Sequence, residues 1–393
     1  MLLHNARIVL PQRTADNASL LVHDDRISRV FEVTTNLPAS DSVIDLHGLT
    51  LMPGLIDVHI HGAVGVDTMV AETADLHRVS QFLATQGVTG WLPTLVPAPD
   101  ADYAQAVRAI ADAMQASDDS RRGARVLGVH YEGPFVNSAQ CGALRKQFFR
   151  TFSGAADIDS LPRIPDGDHQ VARHLTTMAP EVEGGIELVR ELCRRGWIVS
   201  IGHTRAEFAL LEKAFEAGAR HMTHFMNAMA PLHHRSPGPI AWGLSRDDVT
   251  CDVIADGIHL DPRILRLLFK LKGAQGLTLI SDAVAAAGLG DGDYQIWGET
   301  IRVRQGRTSN AADSIAGSVI SMLDAVRMMR SLGISDVDVA RMGSSNPARL
   351  LGIDNQCGSI EEGKRADLIA IDEQGEVVLT IIGGAIVYQN SNE

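Results

Sequence analysis

The segment LMPGLIDVHIHG (51–62) is an apolar run that ends in two histidines, His59 and His61, with one residue between them and a glycine after. In a β-strand, side chains two apart share a face. A lone His-x-His is commonly a pair of surface histidines beside a turn. Here the preceding run is apolar enough to be buried. Two buried imidazoles pack poorly, because each neutral ring needs partners for a donor and an acceptor, but they make good halves of a metal site. The segment therefore leaves two readings, surface histidines beside a turn or a strand that carries ligands at its C-terminal end, and the rest of the chain decides between them.

Working outward, seven further segments have the same character: VTGWLPTL (88–95), RVLGVHYE (125–132), HLTTMAP (174–180), WIVSIGH (197–203), HMTHF (221–225), TCDVIAD (250–256) and LTLISDA (277–283). Between several of them lie amphipathic helical stretches that end in glycine, such as DLHRVSQFLATQG (75–87) and IELVRELCRRG (186–196). Helices closed by glycine and followed by an apolar strand are the βα repeat. Eight units predict an α/β fold, a (β/α)8 TIM-like barrel, with chemistry at the C-terminal ends of its strands. A doubly wound open sheet usually carries a Gly-rich nucleotide loop after an early strand, and none is found. The long polar stretch 136–172 is read as an insertion after the third strand. Both ends of the chain read instead as short strands with Gly and Asp turns. Neither end buries a core alone, so residues 1–52 and 353–393 are expected to pair into one small β-sandwich domain, with 53–352 as the barrel.

Composition narrows the function. A formal net charge of −13 argues against nucleic acid and against an anionic membrane surface, and no run of about 18 apolar residues predicts a transmembrane helix. The N-terminal MLLHNARIVL has polar residues where a secretory signal needs an unbroken apolar core. The four cysteines, Cys141, Cys193, Cys251 and Cys357, form no CxxC pair, which suits structural thiols in a reducing cytoplasm.

Polar residues recur where the barrel rule places a site. The first strand ends in His59 and His61, the third in Glu132, the fifth in His203, the sixth region in His221 and His224, the eighth in Asp282. One strand-end histidine is ordinarily a hydrogen-bonded structural residue, and one strand-end aspartate is often a helix cap. Five strands offering such groups at matched positions point to a metal centre. Imidazole and carboxylate ligands without thiolate suit zinc or iron, with manganese or cobalt as alternatives.

On these motifs the chain resembles the amidohydrolase superfamily and, within it, the N-acetylglucosamine-6-phosphate deacetylase family. The resemblance runs from PGLIDVHIHG through GVHYEGPF, GHT, THFMNAMAPLHHRSPG, ADGIHLDP and SDAVAAAGL to NPARLLG and GSIEEGKRADLIAID. It implies a metal-dependent barrel with a small β-domain built from both termini. It implies that Glu132, His203 and His224 hold one metal, that His59 and His61 match the pair holding a second, and that Asp282 is the catalytic aspartate. It further implies that Asn227, Ala228, Arg235 and His259 contact a sugar phosphate, with Arg235 reaching across from a neighbouring subunit of a homodimer. Ala316 and Gly317, in SIAGSVISM (314–322), match the loop over the substrate.

The chain departs from the family pattern in one place. In CGALRKQF (141–148), Leu144 follows Ala143 where the family has a histidine that polarises the substrate carbonyl. Leucine donates no hydrogen bond, and losing such a donor costs about 10²–10³ in rate. A second metal or Arg145 is the expected replacement. The reaction implied is deacetylation of N-acetylglucosamine 6-phosphate; the galactosamine epimer, another N-acyl compound, or sugar-phosphate binding without turnover are the alternatives. A hydantoinase-like reading needs a metal-bridging lysine on the fourth strand, and HLTTMAPEV has none.

Overall fold

Each of the eight apolar segments forms a strand in the computed structural model, which describes residues 1–32, 37–40, 42–116, 123–167 and 171–390. In chain order they are β1 (Leu55–Ile60), β2 (Val88–Leu95), β3 (Gly128–Glu132), β4 (Arg173–Met178), β5 (Ile198–Ile201), β6 (His221–Met222), β7 (Thr250–Ile254) and β8 (Leu277–Ile280). Each pairs in parallel with the next. The last strand returns to the first through side chains and loop ends. The Asp282 N–H donates to the His59 carbonyl at 2.9 Å and the His61 N–H to the Ala283 carbonyl at 2.7 Å. The Ser281 hydroxyl donates to Asp57 Oδ2 at 2.5 Å. The result is the expected (β/α)8 barrel.

The two amphipathic stretches quoted above form helices, at Thr73–Thr85 and Gly185–Arg194, and further helices lie at Asp100–Ala116 and Phe208–Ala217. They bury one face against the strands, which is why the strands read as almost continuous apolar runs. The lower barrel interior is apolar. Ile56, Val58, Leu92, Leu127, Leu175, Ile254 and Ile280 fill it, and Leu351, Ile353 and Cys357 plug the N-terminal end. Polar side chains are thus displaced to the C-terminal end.

Both termini join one eight-stranded sheet in which Leu368–Ile371 pairs antiparallel with Thr50–Pro53. Leu3, Ile8, Leu20 and Leu51 from one end and Leu368, Leu379 and Ile381 from the other share its core. The insertion 136–172 contains helical turns at Ser138–Gln140 and Lys146–Phe148 and a short helix at Ala155–Asp159; its residues 168–170 lie outside the described residues. One element has no counterpart in the sequence reading. After β8 the chain forms a small antiparallel sheet, β9 (Gly292–Ile296), β10 (Glu299–Arg304) and β11 (Arg307–Ser309). Its exposed, charged alternation lacks the apolar weight that marks the barrel strands.

Candidate metal centre and substrate cavity

The strand ends deliver the site by a repeated device. His203, His224 and Asp282 each lie two residues beyond the last residue of β5, β6 and β8, and all three have positive φ, at +47°, +30° and +51°. Left-handed backbone is costly for such residues and tends to persist where the surroundings over-determine it. Here each kink turns a side chain inward over the barrel axis. His59 and His61 need no kink, because strand alternation already points both the same way.

Two ligand groups result, His59–His61–Asp282 and Glu132–His203–His224, all buried. In the second, Glu132 Oε1 lies 2.9 Å from both His203 Nε2 and His224 Nε2. In the first, Asp282 Oδ1 lies 3.4 Å from His59 Nε2 and 3.3 Å from His61 Nε2. Glu132 Oε2 reaches His61 Nε2 at 3.3 Å, so this carboxylate stands between the groups. The chemistry of the donor set fits divalent metal. His61 Nδ1 faces the Thr94 carbonyl at 3.2 Å and His203 Nδ1 the Gln140 carbonyl at 2.7 Å, so as neutral rings each would keep its proton there and offer Nε2 to a metal. Those Nε2 atoms lie 3.2 Å from His59 Nε2 and 3.1 Å from His224 Nε2. Nitrogen lone pairs and carboxylate oxygens converging at that range are short of positive charge.

Without metal, protons on the rings supply the positive charge that the cluster needs. Burial opposes charge on Glu132, yet hydrogen bonds from His203, His224 and His61 hold its carboxyl well below the usual carboxylate range. Burial pushes the His61 ring down, but Asp282 and Glu132 pull it up to about 10. His59 is pushed well below its ordinary value, by burial first and by His130 beside it.

Beneath the ligands a directed hydrogen-bond chain holds β1. His130 Nδ1 lies 3.0 Å from the Val58 carbonyl, its Nε2 2.8 Å from the Thr177 hydroxyl, and Thr223 Oγ1 lies 2.7 Å from Thr177 Oγ1. Ser200 Oγ ends the chain 2.5 Å from Thr223. His130 also packs edge-on against His59, ring centres 4.6 Å apart. Sequence reasoning passed over His130, although it shares a strand face with Glu132 as His59 does with His61.

Over the metal groups lies a cavity of about 320 Å³ whose lining includes His61, Glu132, Ala143, Leu144, His203 and His224. Asn227, Ala228, His259, Asp282 and Gly317 line it as well. Asn227 Nδ2 is buried without a protein partner, an unspent donor beside the cavity. His259 Nδ1 bonds Asp256 Oδ2 at 2.6 Å, which leaves Nε2 as the free ring atom. Burial raises the Asp256 carboxyl, but the hydrogen bond and charge of His259 outweigh it and hold the group down. Asp256 was not singled out in the sequence, where its offset of three from His259 is the only signal.

Four expected residues lie elsewhere. Ala316 is fully buried and its N–H donates to Thr308 Oγ1 at 3.2 Å; Ser314 and Ile315 line the cavity beside Gly317 in its place. Arg235 sits in the exposed run 231–237, against His234, outside the lining. His221 turns away to Thr250 and Asp252, at 2.6 and 2.7 Å. Arg145 donates to the Pro97 carbonyl at 3.2 Å and stacks on Phe148, and it is not in the lining. Trp297, at the tip of the β9–β10 hairpin, lines the cavity without any local signal in the sequence.

Comparison with known proteins agrees with this geometry. Residues 50–387 match the model of the amidohydrolase family. The chain is 37% identical over 390 residues to an N-acetylglucosamine-6-phosphate deacetylase of Bacillus subtilis (strain 168), covering 99% of this chain and 97% of that one. It is 33% identical to an N-acetylgalactosamine-6-phosphate deacetylase of Escherichia coli O157:H7, covering 93% of each chain. Among solved structures, a mutant N-acetyl-D-glucosamine-6-phosphate deacetylase from Mycobacterium smegmatis, in complex with N-acetyl-D-glucosamine-6-phosphate, superposes with a TM-score of 0.88 at 29% identity. That match covers 98% of this chain and 99% of the other. The chain belongs to the amidohydrolase family.

Proposed function

We propose that this amidohydrolase-family chain is a metal-dependent deacetylase converting N-acetyl-D-glucosamine 6-phosphate to D-glucosamine 6-phosphate and acetate. The observation that carries the reading is the meeting of two ligand groups at Glu132 with Asp282 beside them, under a cavity holding the unspent Asn227 donor. His59, His61 and Asp282 would hold one divalent metal, zinc or iron first, and Glu132, His203 and His224 a second. Metal there supplies water with a pKa brought from about 15.7 toward about 7, and a polarised amide carbonyl. That double role answers the missing donor at Leu144.

The chain's own groups do the rest. Asp282 is the general base that takes the proton of the attacking water at Oδ1 or Oδ2. The same proton then passes to the amide nitrogen, which leaves badly as an anion and well as an amine. Asn227 Nδ2 and His259 Nε2 bind and orient the phosphorylated sugar, and Asp256 fixes the His259 ring for that task. Leu144 keeps water from that wall of the cavity. Arg235 acts on the cavity of a neighbouring subunit; its exposure outside its own cavity supports a homodimer with shared sites. The four free thiols suit a cytoplasmic enzyme, and no helix among the described residues is long and apolar enough to cross a membrane.

Amine release is measured with zinc- or iron-reconstituted protein on N-acetylglucosamine 6-phosphate, its galactosamine epimer and unphosphorylated N-acetylglucosamine. Turnover that prefers the first and needs its phosphate is expected. Preference for the epimer would reassign the sugar, and no turnover with metal bound would overturn the reading.

A further inference from the structure

Between β9 and β10 the chain reverses in two residues, Trp297 and Gly298, flanked by the paired Ile296 and Glu299. Both have positive φ, +54° and +79°. A two-residue hairpin with both φ positive ordinarily carries Asn-Gly or Asp-Gly. A bulky aromatic ring in the first place is strained, and the surroundings hold it there. The indole packs edge-on against His61, with ring centres 5.0 Å apart and planes at 81°. Its N–H is buried without a full hydrogen bond. Behind it stand Ile296, Ile301 and Val303 of the same hairpin.

The barrel order says what the ring faces. Trp297 and His61 belong to the loops that follow β8 and β1. Asn227 and Ala228 follow β6, and His259 follows β7, three and two strands round the barrel from His61. A phosphorylated amino sugar whose phosphate end lies at Asn227 and His259 has its amide over Glu132 and Asp282. Its acyl carbons then point on toward Trp297 and Leu144, which with Ile315 are the large apolar members of the lining.

We propose that Trp297 closes the acyl end of the cavity and sets how long an N-acyl group the site accepts, so that acetyl fits and longer chains do not. This inference rests on the deacetylase reading above. A strained indole at the hairpin tip is a wall that smaller residues, easier to place at positive φ, do not provide.

The test compares kcat/KM for N-acetyl-, N-propionyl- and N-butyrylglucosamine 6-phosphate in wild type, Trp297→Gly and Trp297→Phe. Melting temperature and metal content are recorded for each. Glycine suits φ +54°, so the turn survives the substitution. In wild type each added methylene is expected to lower kcat/KM by about tenfold or more. In Trp297→Gly the butyryl-to-acetyl ratio is expected to rise at least tenfold, with Trp297→Phe between. If the glycine variant loses activity on all three substrates by one factor, the indole only supports His61 and the proposal is overturned. Unchanged ratios overturn it equally while acetyl turnover upholds the deacetylase reading. Wild-type protein inactive on all three defeats both.

Discussion

Asp282 is where the chemistry of the centre concentrates in one side chain. Asp282→Asn keeps the shape and removes the proposed base, so kcat is expected to fall by about 10²–10⁴, with any metal loss confined to the His59–His61–Asp282 group; steady-state amine release reads the first and elemental analysis the second. His130 acts through its neighbours. It binds the Val58 carbonyl, one peptide before His59, and receives the Thr177 hydroxyl. In His130→Phe an aromatic ring stays but both bonds go, leaving the Thr177 hydroxyl with Thr223 alone and the Val58 carbonyl without its imidazole donor in a buried site. A stability loss of about 1–3 kcal/mol is expected by urea unfolding. A fall in metal affinity should accompany it, which a purely structural role would not produce.

Elements owe their limits to end chemistry as much as to periodicity. The helix Met322–Ser331 follows directly on the loop that lines the cavity, and Ser321 caps it: the Asp324 N–H donates to Ser321 Oγ at 3.2 Å, and the Ser321 N–H to Asp324 Oδ2 at 2.8 Å. Ser321→Ala is expected to cost about 1 kcal/mol, visible as a lower denaturation midpoint. Because residues 314–317 hang from this helix start, KM for the substrate should rise more than kcat falls. Beside this helix, which packs on β8, the closure of β8 on β1 relies on Asp57, whose carboxyl burial raises to about 7 despite the Ser281 hydroxyl. The join that would need a backbone ladder is made by side chains and strand-end amides instead.

The terminal sheet joins the barrel by packing Val9, Met52, Ile369, Ile371 and Val377 into its core and by buried polar contacts. Asp367, on the terminal sheet, receives Arg125 of the barrel at 2.7 Å and the Gly383 N–H at 2.8 Å, with its side chain 3% exposed. Asp367→Asn leaves Arg125 without its counter-charge. About 3 kcal/mol of stability should be lost, with kcat little changed, since the pair is remote from the cavity lining. Metal at the proposed centre would bind the folded chain in preference to the unfolded one, because the two ligand groups are assembled only by the fold. Exhaustive chelation should therefore abolish turnover and lower Tm, and reloading at 100 times Kd should restore about 2.7 kcal/mol, as read by thermal unfolding with and without added zinc.

The barrel and most of its centre were legible in the sequence, because both follow from short-range rules. Strand alternation aligns His59 with His61, apolar runs separated by glycine-ended helices count out eight βα units, and ligands fall at strand ends because the lower interior is filled with Ile, Leu and Val. What lay beyond the sequence depends on parts distant in the chain meeting. Trp297 comes to His61 across more than two hundred residues, on a hairpin whose polar alternation carries no mark of its destination. Ala316 and Ser314 differ only in which way a loop turns them, and Arg145 has closer partners in Pro97 and Phe148 than the cavity offers. The pattern of residue types thus determined which chemistry the chain holds. Which side chains wall that chemistry in was decided by packing, since a loop's path answers to every surface it touches and not to its own sequence alone.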